Sequence, residues 1–137
     1  MTSALAIHAS DMALGYRILL IEDEASIADM YAAVLRMHGH EVRIEPDGAA
    51  GLQAAAVADF DLVLLDIRMP RMDGVEVLTE LMAGQRTKRW PIVMLTNYDD
   101  PELRQRTREL GARDYVIKSQ LIPALLATRV NVWVRSS

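Results

Sequence analysis

Ile18-Leu19-Leu20-Ile21, Leu62-Val63-Leu64-Leu65 and Ile92-Val93-Met94-Leu95 are apolar at every position. A strand with one wet face alternates polar and apolar side chains, so a run without alternation has to be covered on both faces. Such strands occur in parallel sheets, where each crossover to the next strand supplies a covering helix. This feature restricts the chain more than any other, because it demands helix-forming sequence between the runs.

That sequence is present. Ala25 to His38 places Ile27, Met30, Tyr31, Val34 and His38 at helical spacing, and Gly39 stands where a left-handed C-terminal cap belongs. Val42 and Ile44 alternate with polar neighbours, as in a strand nearer a sheet edge. Asp47-Gly48 opens an alanine-rich helix reaching about Val57. Phe60 to Leu65 reads as a strand, Val75 to Met82 as a helix and Gly84 to Arg89 as a polar loop. After the run at Ile92, Asp100-Pro101-Glu102 combines a capping Asp, Pro in the first turn and an acid beside the helix dipole. That helix ends at Leu110-Gly111. Tyr115-Val116-Ile117 is a short fifth strand, and a last helix runs from Leu121 to about Arg135, with Pro123 in its first turn and poor helix formers at Val130, Val132 and Val134. Five strand-then-helix units give an α/β fold, a parallel sheet with right-handed crossovers.

The chain has 137 residues, enough for one domain with a real core, set at 16–135 after an N-terminal tail over 1–15 expected to be flexible. With 51% hydrophobic and 25% charged residues it has the balance of a globular protein. A net charge of −4 argues against direct nucleic-acid binding, which favours a basic domain. The absence of cysteine excludes disulfides and thiolate metal sites. No apolar run is long enough to span a membrane, and the first fifteen residues lack the pattern of a signal peptide, so the expected location is the cytoplasm.

In open parallel sheets, sites form at the C-terminal ends of the strands. There the first strand ends in Glu22-Asp23, the third in Asp66, the fourth in Thr96 and the fifth in Lys118. Singly, each has an ordinary reading: helix cap, turn residue or surface charge. Together, three carboxylates and one ammonium sum to about −2, a repulsion that pushes one carboxylate toward protonation unless a divalent cation relieves it. Hard oxygen donors favour Mg²⁺ or Mn²⁺; His8, His38 and His40 are not placed as ligands. A carboxylate beside such an ion, an amine and a hydroxyl has the parts for phosphoryl transfer through an acyl phosphate.

Ile18-Leu19-Leu20-Ile21-Glu22-Asp23-Glu24, Asp66-Ile67-Arg68-Met69-Pro70-Arg71-Met72-Asp73-Gly74, Met94-Leu95-Thr96 and Gly111-Ala112-Arg113-Asp114-Tyr115-Val116-Ile117-Lys118 resemble, in order, the four motifs of response-regulator receiver domains, from Arg17 to about Arg135. The resemblance implies a flavodoxin-like (βα)5 fold with strand order 2-1-3-4-5 and helices on both faces. It implies Asp66 as phosphoacceptor, with catalytic roles for Thr96 and Lys118. Asp23 would bind Mg²⁺ directly and Glu22 through water, joined by Asp66 and the backbone carbonyl of Arg68. Thr96 and Tyr115 would form the switch, the ring turning inward as the hydroxyl moves toward the phosphoryl group. The implied partners are a sensor histidine kinase or phosphotransfer protein and a downstream effector or output domain. A homodimer could form through the helix at Asp100–Leu110, the fifth strand and the last helix.

Three departures from the family pattern stand out. Ser119 follows the lysine where Pro is usual, often after a cis bond, so either a strained cis peptide or a different loop is expected. Asn97 replaces a small residue. Arg68 and Tyr98, at positions that tune dephosphorylation in relatives, are both large. Arg104, Arg106 and Arg108 read as a solvated face or a partner contact. The competing reading is a Mg²⁺-dependent phosphohydrolase with an Asp nucleophile, but Arg68 stands where such enzymes commonly carry their second acid. The expectation is therefore a switch and not a turnover enzyme. A third reading, a degenerate receiver used only for binding, is opposed by the intact acids, Thr96 and Lys118.

Overall fold

Each unbroken apolar run forms a strand in the computed structural model, which describes residues 15–136. The expectation for residues 1–14 lies outside the described part. Strands β1 (Arg17–Ile21), β2 (Glu41–Glu45), β3 (Leu62–Asp66), β4 (Ile92–Thr96) and β5 (Asp114–Ile117) alternate with helices α1 (Ala25–Met37), α2 (Gly48–Val57), α3 (Gly74–Ala83), α4 (Pro101–Glu109) and α5 (Pro123–Arg135). All strand pairs are parallel, in the order β2-β1-β3-β4-β5. The fold is flavodoxin-like, as expected.

The side chains of each inner strand divide between two cores. Ile18, Leu20, Leu62, Leu64, Val93 and Leu95 face α1 and α5, meeting Ala28, Tyr31, Leu35, Leu126, Val130 and Trp133. Leu19, Ile21, Val63, Leu65, Ile92 and Met94 face the other way, onto Ala54, Ala55, Val77, Leu78 and Leu81 of α2 and α3. All twelve strand side chains are fully buried. Full burial of one such side chain stabilises by about 1.5–3 kcal/mol, which is why the sheet interior dictates the rest.

Several boundaries differ from the sequence reading. Phe60 lies outside β3; its ring packs edge-on against Trp90, 5.6 Å between centroids, closing the bottom of the sheet. The loop after α3 contains a 3₁₀ turn, Thr87–Arg89. In α1 the buried stripe is Ala28, Tyr31, Ala32 and Leu35, with Met30 turned outward at 44% exposure. Small alanines let the helix approach the sheet, a preference that a count of large apolar residues misses. The last helix starts at Pro123, two residues late, because Lys118–Gln120 forms another 3₁₀ turn. Its valines are tolerated because Leu126, Val130 and Trp133, at i, i+4 and i+7, are buried; propensity costs of tenths of a kcal/mol are outweighed by that burial.

Two polar devices hold α5 to the sheet. Asp114 Oδ2 accepts from Arg129 Nη2 and Trp133 Nε1, each at 2.8 Å. Arg113 Nη1 donates to the Trp133 carbonyl at 2.7 Å and to the Ser136 carbonyl, satisfying acceptors that the helix end leaves open. Gly39, at φ +90°, supplies the left-handed cap after α1.

Arg71 is the only described non-glycine residue at positive φ, +70°, in the loop between β3 and α3. A Cβ there costs about 1 kcal/mol against glycine. Its exposed ion pair with Asp47, at 3.9 Å, offsets little. Arg71→Gly should therefore raise the urea midpoint, by about 0.5–1 kcal/mol of stability. A lower midpoint would show that the Asp47 contact outweighs the backbone strain.

Candidate functional site

Strand register brings the polar strand ends together. Ile21 pairs with Leu65, Asp66 with Leu95 and Thr96 with Ile117, so the residues that follow the apolar runs line one edge of the sheet. Glu22, Asp66, Thr96 and Lys118 are all buried there, while Asp23 stays exposed. Carboxylate oxygens of Glu22, Asp23 and Asp66 lie within 4.8 Å of one another. Lys118 Nζ is 2.6 Å from Glu22 Oε1 and 3.2 Å from Asp66 Oδ1.

Local structure fixes each group. The Glu22 amide donates to the Glu45 carbonyl at 3.1 Å, extending the β1–β2 ladder by one residue, and Glu22 Oε2 accepts from the Glu24 amide at 3.2 Å. Asp66 ends β3, and the Ile67 amide continues the ladder to the Leu95 carbonyl at 3.0 Å. Gly74 opens α3 against the backbone of Asp66 and Ile67; a Cβ there would collide with the Asp66 carbonyl, so glycine is what allows this helix end to sit under the site. Asp73 and Glu76 form a reciprocal capping box that anchors the same helix start.

The electrostatics follow from three acids meeting one amine. Burial, the Glu22 carboxylate and the hydrogen bond shared with Asp23 push the Asp66 carboxyl from its ordinary 3.8 up to about 7, although Lys118 opposes them. Burial alone would depress Lys118, but the Glu22 and Asp66 carboxylates outweigh it and hold the ammonium above its usual value. Burial also raises Tyr31, which lies close enough to feel the charges of Lys118, Glu22 and Asp66. Glu22 Oε1 sits within ion-pair distance of Lys118, yet no aligned hydrogen bond satisfies it. The distance makes the charge contact real; the missing alignment leaves an oxygen with capacity for another cationic partner. A buried unsatisfied oxygen among all-oxygen donors fits a hard divalent cation.

Thr96 Oγ1 accepts from the Tyr98 amide at 3.2 Å, leaving its own proton free to donate. Tyr115 is buried and its hydroxyl donates to the Tyr98 carbonyl at 2.8 Å. Arg68 follows Asp66 by two residues, with its guanidinium 5.0 Å from the centre of the exposed Tyr98 ring. Asn97 is exposed beside them. No cis peptide occurs among the described residues, so Lys118–Ser119 is trans and the different loop is the outcome: the 3₁₀ turn Lys118–Gln120.

Sequence reasoning left Arg104 with its neighbours on a solvated face. Its guanidinium instead lies 4.5 Å from the Tyr115 ring centre, whereas Arg106 and Arg108 are exposed. No local pattern singles it out: Arg106 and Arg108 directly flank Thr107, the one buried residue of α4, and are exposed, while Arg104 lies one turn before it.

The family model for the response regulator receiver domain matches residues 18–130. The transcriptional regulatory protein PdtaR of Mycobacterium tuberculosis is 39% identical over an alignment of 121 residues that covers 85% of this chain and 58% of that protein. The chain spans about half the length of the curated relatives it matches. Among solved structures, the chemotaxis protein CheY4 of Vibrio cholerae superposes with TM-score 0.82 at 30% identity, covering 87% of this chain and 98% of that one. The receiver domain of sensor histidine kinase PA1611 from Pseudomonas aeruginosa, solved with a magnesium ion in its active-site cleft, gives TM-score 0.80 at 30% identity over 89% and 99%. The described residues contain no helix long and apolar enough to cross a membrane. A parallel sheet in the order 2-1-3-4-5, an acidic cluster with a lysine at its C-terminal edge and a family match over most of the chain agree: the chain belongs to the receiver domains of two-component response regulators.

Proposed function

We propose that Asp66 accepts a phosphoryl group from a phosphohistidine on a sensor kinase or phosphotransfer protein. The observation that carries this reading is the trio Glu22, Asp23 and Asp66, with ligand oxygens within 4.8 Å and Lys118 3.2 Å from Asp66. Glu22, Asp23, Asp66 and the Arg68 backbone carbonyl would hold Mg²⁺, or Mn²⁺ with the same donor set; the magnesium bound by the PA1611 receiver supports this. The ion, when bound, neutralises charge on the carboxylates and on the transferring oxygens.

In the transfer an Asp66 oxygen attacks phosphorus, the P–N bond to the donor imidazole breaks, and the departing imidazole takes a proton to leave as neutral histidine. Lys118 faces the developing charge as a fixed ammonium, exchanging part of its contact with Asp66 for a phosphoryl oxygen. Thr96 donates its free proton to another oxygen. Thr96 and Tyr115 then couple the site to α4, β5 and α5, the face offered to an effector, an output domain or a second copy. The protein works as a cytoplasmic switch: it supports its own phosphotransfer and dephosphorylation, turns over no separate substrate and does not itself bind nucleic acid.

Acetyl phosphate with Mg²⁺ should label the protein to roughly one phosphoryl per chain, read by intact mass. Asp66→Asn or excess EDTA should abolish labelling. Labelling of the Asn variant at the parent rate, or many turnovers of an aryl phosphate, would refute the assignment and favour a phosphohydrolase.

The acyl phosphate is expected to be long-lived on the reading that exposed Asn97 and the paired Arg68 guanidinium and Tyr98 ring, all in the loops after β3 and β4, narrow the approach of water. Arg68→Ala should accelerate decay by about fivefold, equivalent to about 1 kcal/mol of barrier. Asn97→Ala should accelerate it in the same direction. An unchanged decay rate in either variant would remove that residue from the explanation.

A further inference from the structure

Helix α4 carries little apolar surface: Thr107 is its one fully buried residue, with Leu103 and, at the C-terminal cap, Leu110 partly buried against the core. An element with so small an apolar face is held by polar contacts and belongs to the part of a fold that opens most easily. The polar contacts of α4 converge on one side chain. Arg104 Cζ lies 4.5 Å from the Tyr115 ring centre, its Nη1 donates to the Tyr115 carbonyl at 3.2 Å, and its Nη2 donates to Asp99 Oδ1 at 3.2 Å. The Tyr115 hydroxyl donates to the Tyr98 carbonyl at 2.8 Å, and the Tyr98 amide donates to Thr96 Oγ1 at 3.2 Å. These contacts run from α4 through β5 and the loop 97–99 back to the hydroxyl of Thr96, which register places at the same sheet edge as Asp66.

We propose that Arg104 is a positioning residue for the reaction at Asp66, acting through Tyr115 and Tyr98 to hold Thr96 where its proton reaches the incoming group. The proposal rests on the assignment of Asp66 as phosphoacceptor. An arginine suits the role: its planar guanidinium stacks on a ring face while its edge donates to two oxygens, which a lysine ammonium does not reproduce. Rotating Tyr115 outward would break the ring stack and the Tyr98 bond at once. Tyr98 would then lose the partner of its carbonyl, and its amide would no longer be held against Thr96. Removing the guanidinium therefore shrinks the fraction of molecules with Thr96 in place, and apparent affinity for a phosphoryl-like ligand falls by that fraction.

The test is titration of the intact chain with beryllofluoride in saturating Mg²⁺, followed by NMR shifts of amides around Asp66. Arg104→Ala should weaken beryllofluoride binding by about threefold to tenfold, the range expected for losing one partly exposed cation–ring contact. Arg104→Lys should restore only part of the loss. In a Tyr115→Ala background, Arg104→Ala should have no further effect. Asp99→Asn, a change at an exposed side chain, should weaken binding less but with the same dependence on Tyr115. Thermal melts confirm that each variant folds. Equal weakening with and without Tyr115, or no weakening by Arg104→Ala, would overturn the proposal while leaving the Asp66 assignment intact. Failure of the parent protein itself to bind beryllofluoride would overturn the Asp66 assignment, and the role of Arg104 with it.

Discussion

Like charge crowded at a dry sheet edge is the constraint from which the rest of this structure follows. Glu22, Asp23 and Asp66 cannot all be ionised there at low cost, and Lys118, within reach of both Glu22 and Asp66, brings only one positive charge. Burial first, and the Glu22 carboxylate after it, hold the Asp66 carboxyl well above its ordinary value. Such a cluster is poor material for stability. It is good material for chemistry, because a hard cation and a phosphoryl group each relieve or exploit the same strain. The apolar strands are what make the arrangement possible. Their burial on both faces fixes register, and register places each polar end without regard to electrostatic preference.

Around that edge the supports differ in kind. Under Asp66 the backing is rigid: Gly74 lets α3 press on the β3 backbone, and the capping box locks the helix start. Around α5 it is polar but redundant, with Asp114 taking two donors and Arg113 closing the helix end. Around α4 it is thin, a few partly buried apolar groups and the contacts of Arg104. The site therefore sits between an element that cannot yield and one that can. On the proposed reading, a change of charge at Asp66 would be transmitted toward α4, through Thr96 and Tyr115, because that is the side on which the structure has freedom.

Much of this was legible in the sequence. Short unbroken runs such as Leu62–Leu65, alternating with helical segments, read as doubly covered strands, and the polar residues that follow them then fall at one edge, which brings Glu22, Asp23, Asp66, Thr96 and Lys118 together. The stripe on α1 was misread at Met30 because alanine contributes little to an apolar count yet packs closest to the sheet. The role of Arg104 was not legible: whether an arginine beside a buried position points to solvent or folds back onto a ring depends on a tyrosine eleven residues away on another element. Ser119 left two loop geometries open, and only the backbone path through Lys118–Gln120 decides between them. Local pattern encodes burial and turns; long-range pairing of polar side chains is a property of the assembled fold.

The direct test of the charge-crowding claim is the Mg²⁺ affinity of the unphosphorylated protein, measured calorimetrically from pH 5 to pH 8.5 in buffers of different ionisation enthalpy. With Asp66 titrating at about 7, Mg²⁺ must displace a proton below that pH. The expected result is an affinity that climbs by up to about tenfold per pH unit below 7, accompanied by release of close to one proton, and levels off above it. An affinity independent of pH over this range, with no proton released, would contradict the claim that burial and the neighbouring carboxylates hold Asp66 protonated until the cation arrives.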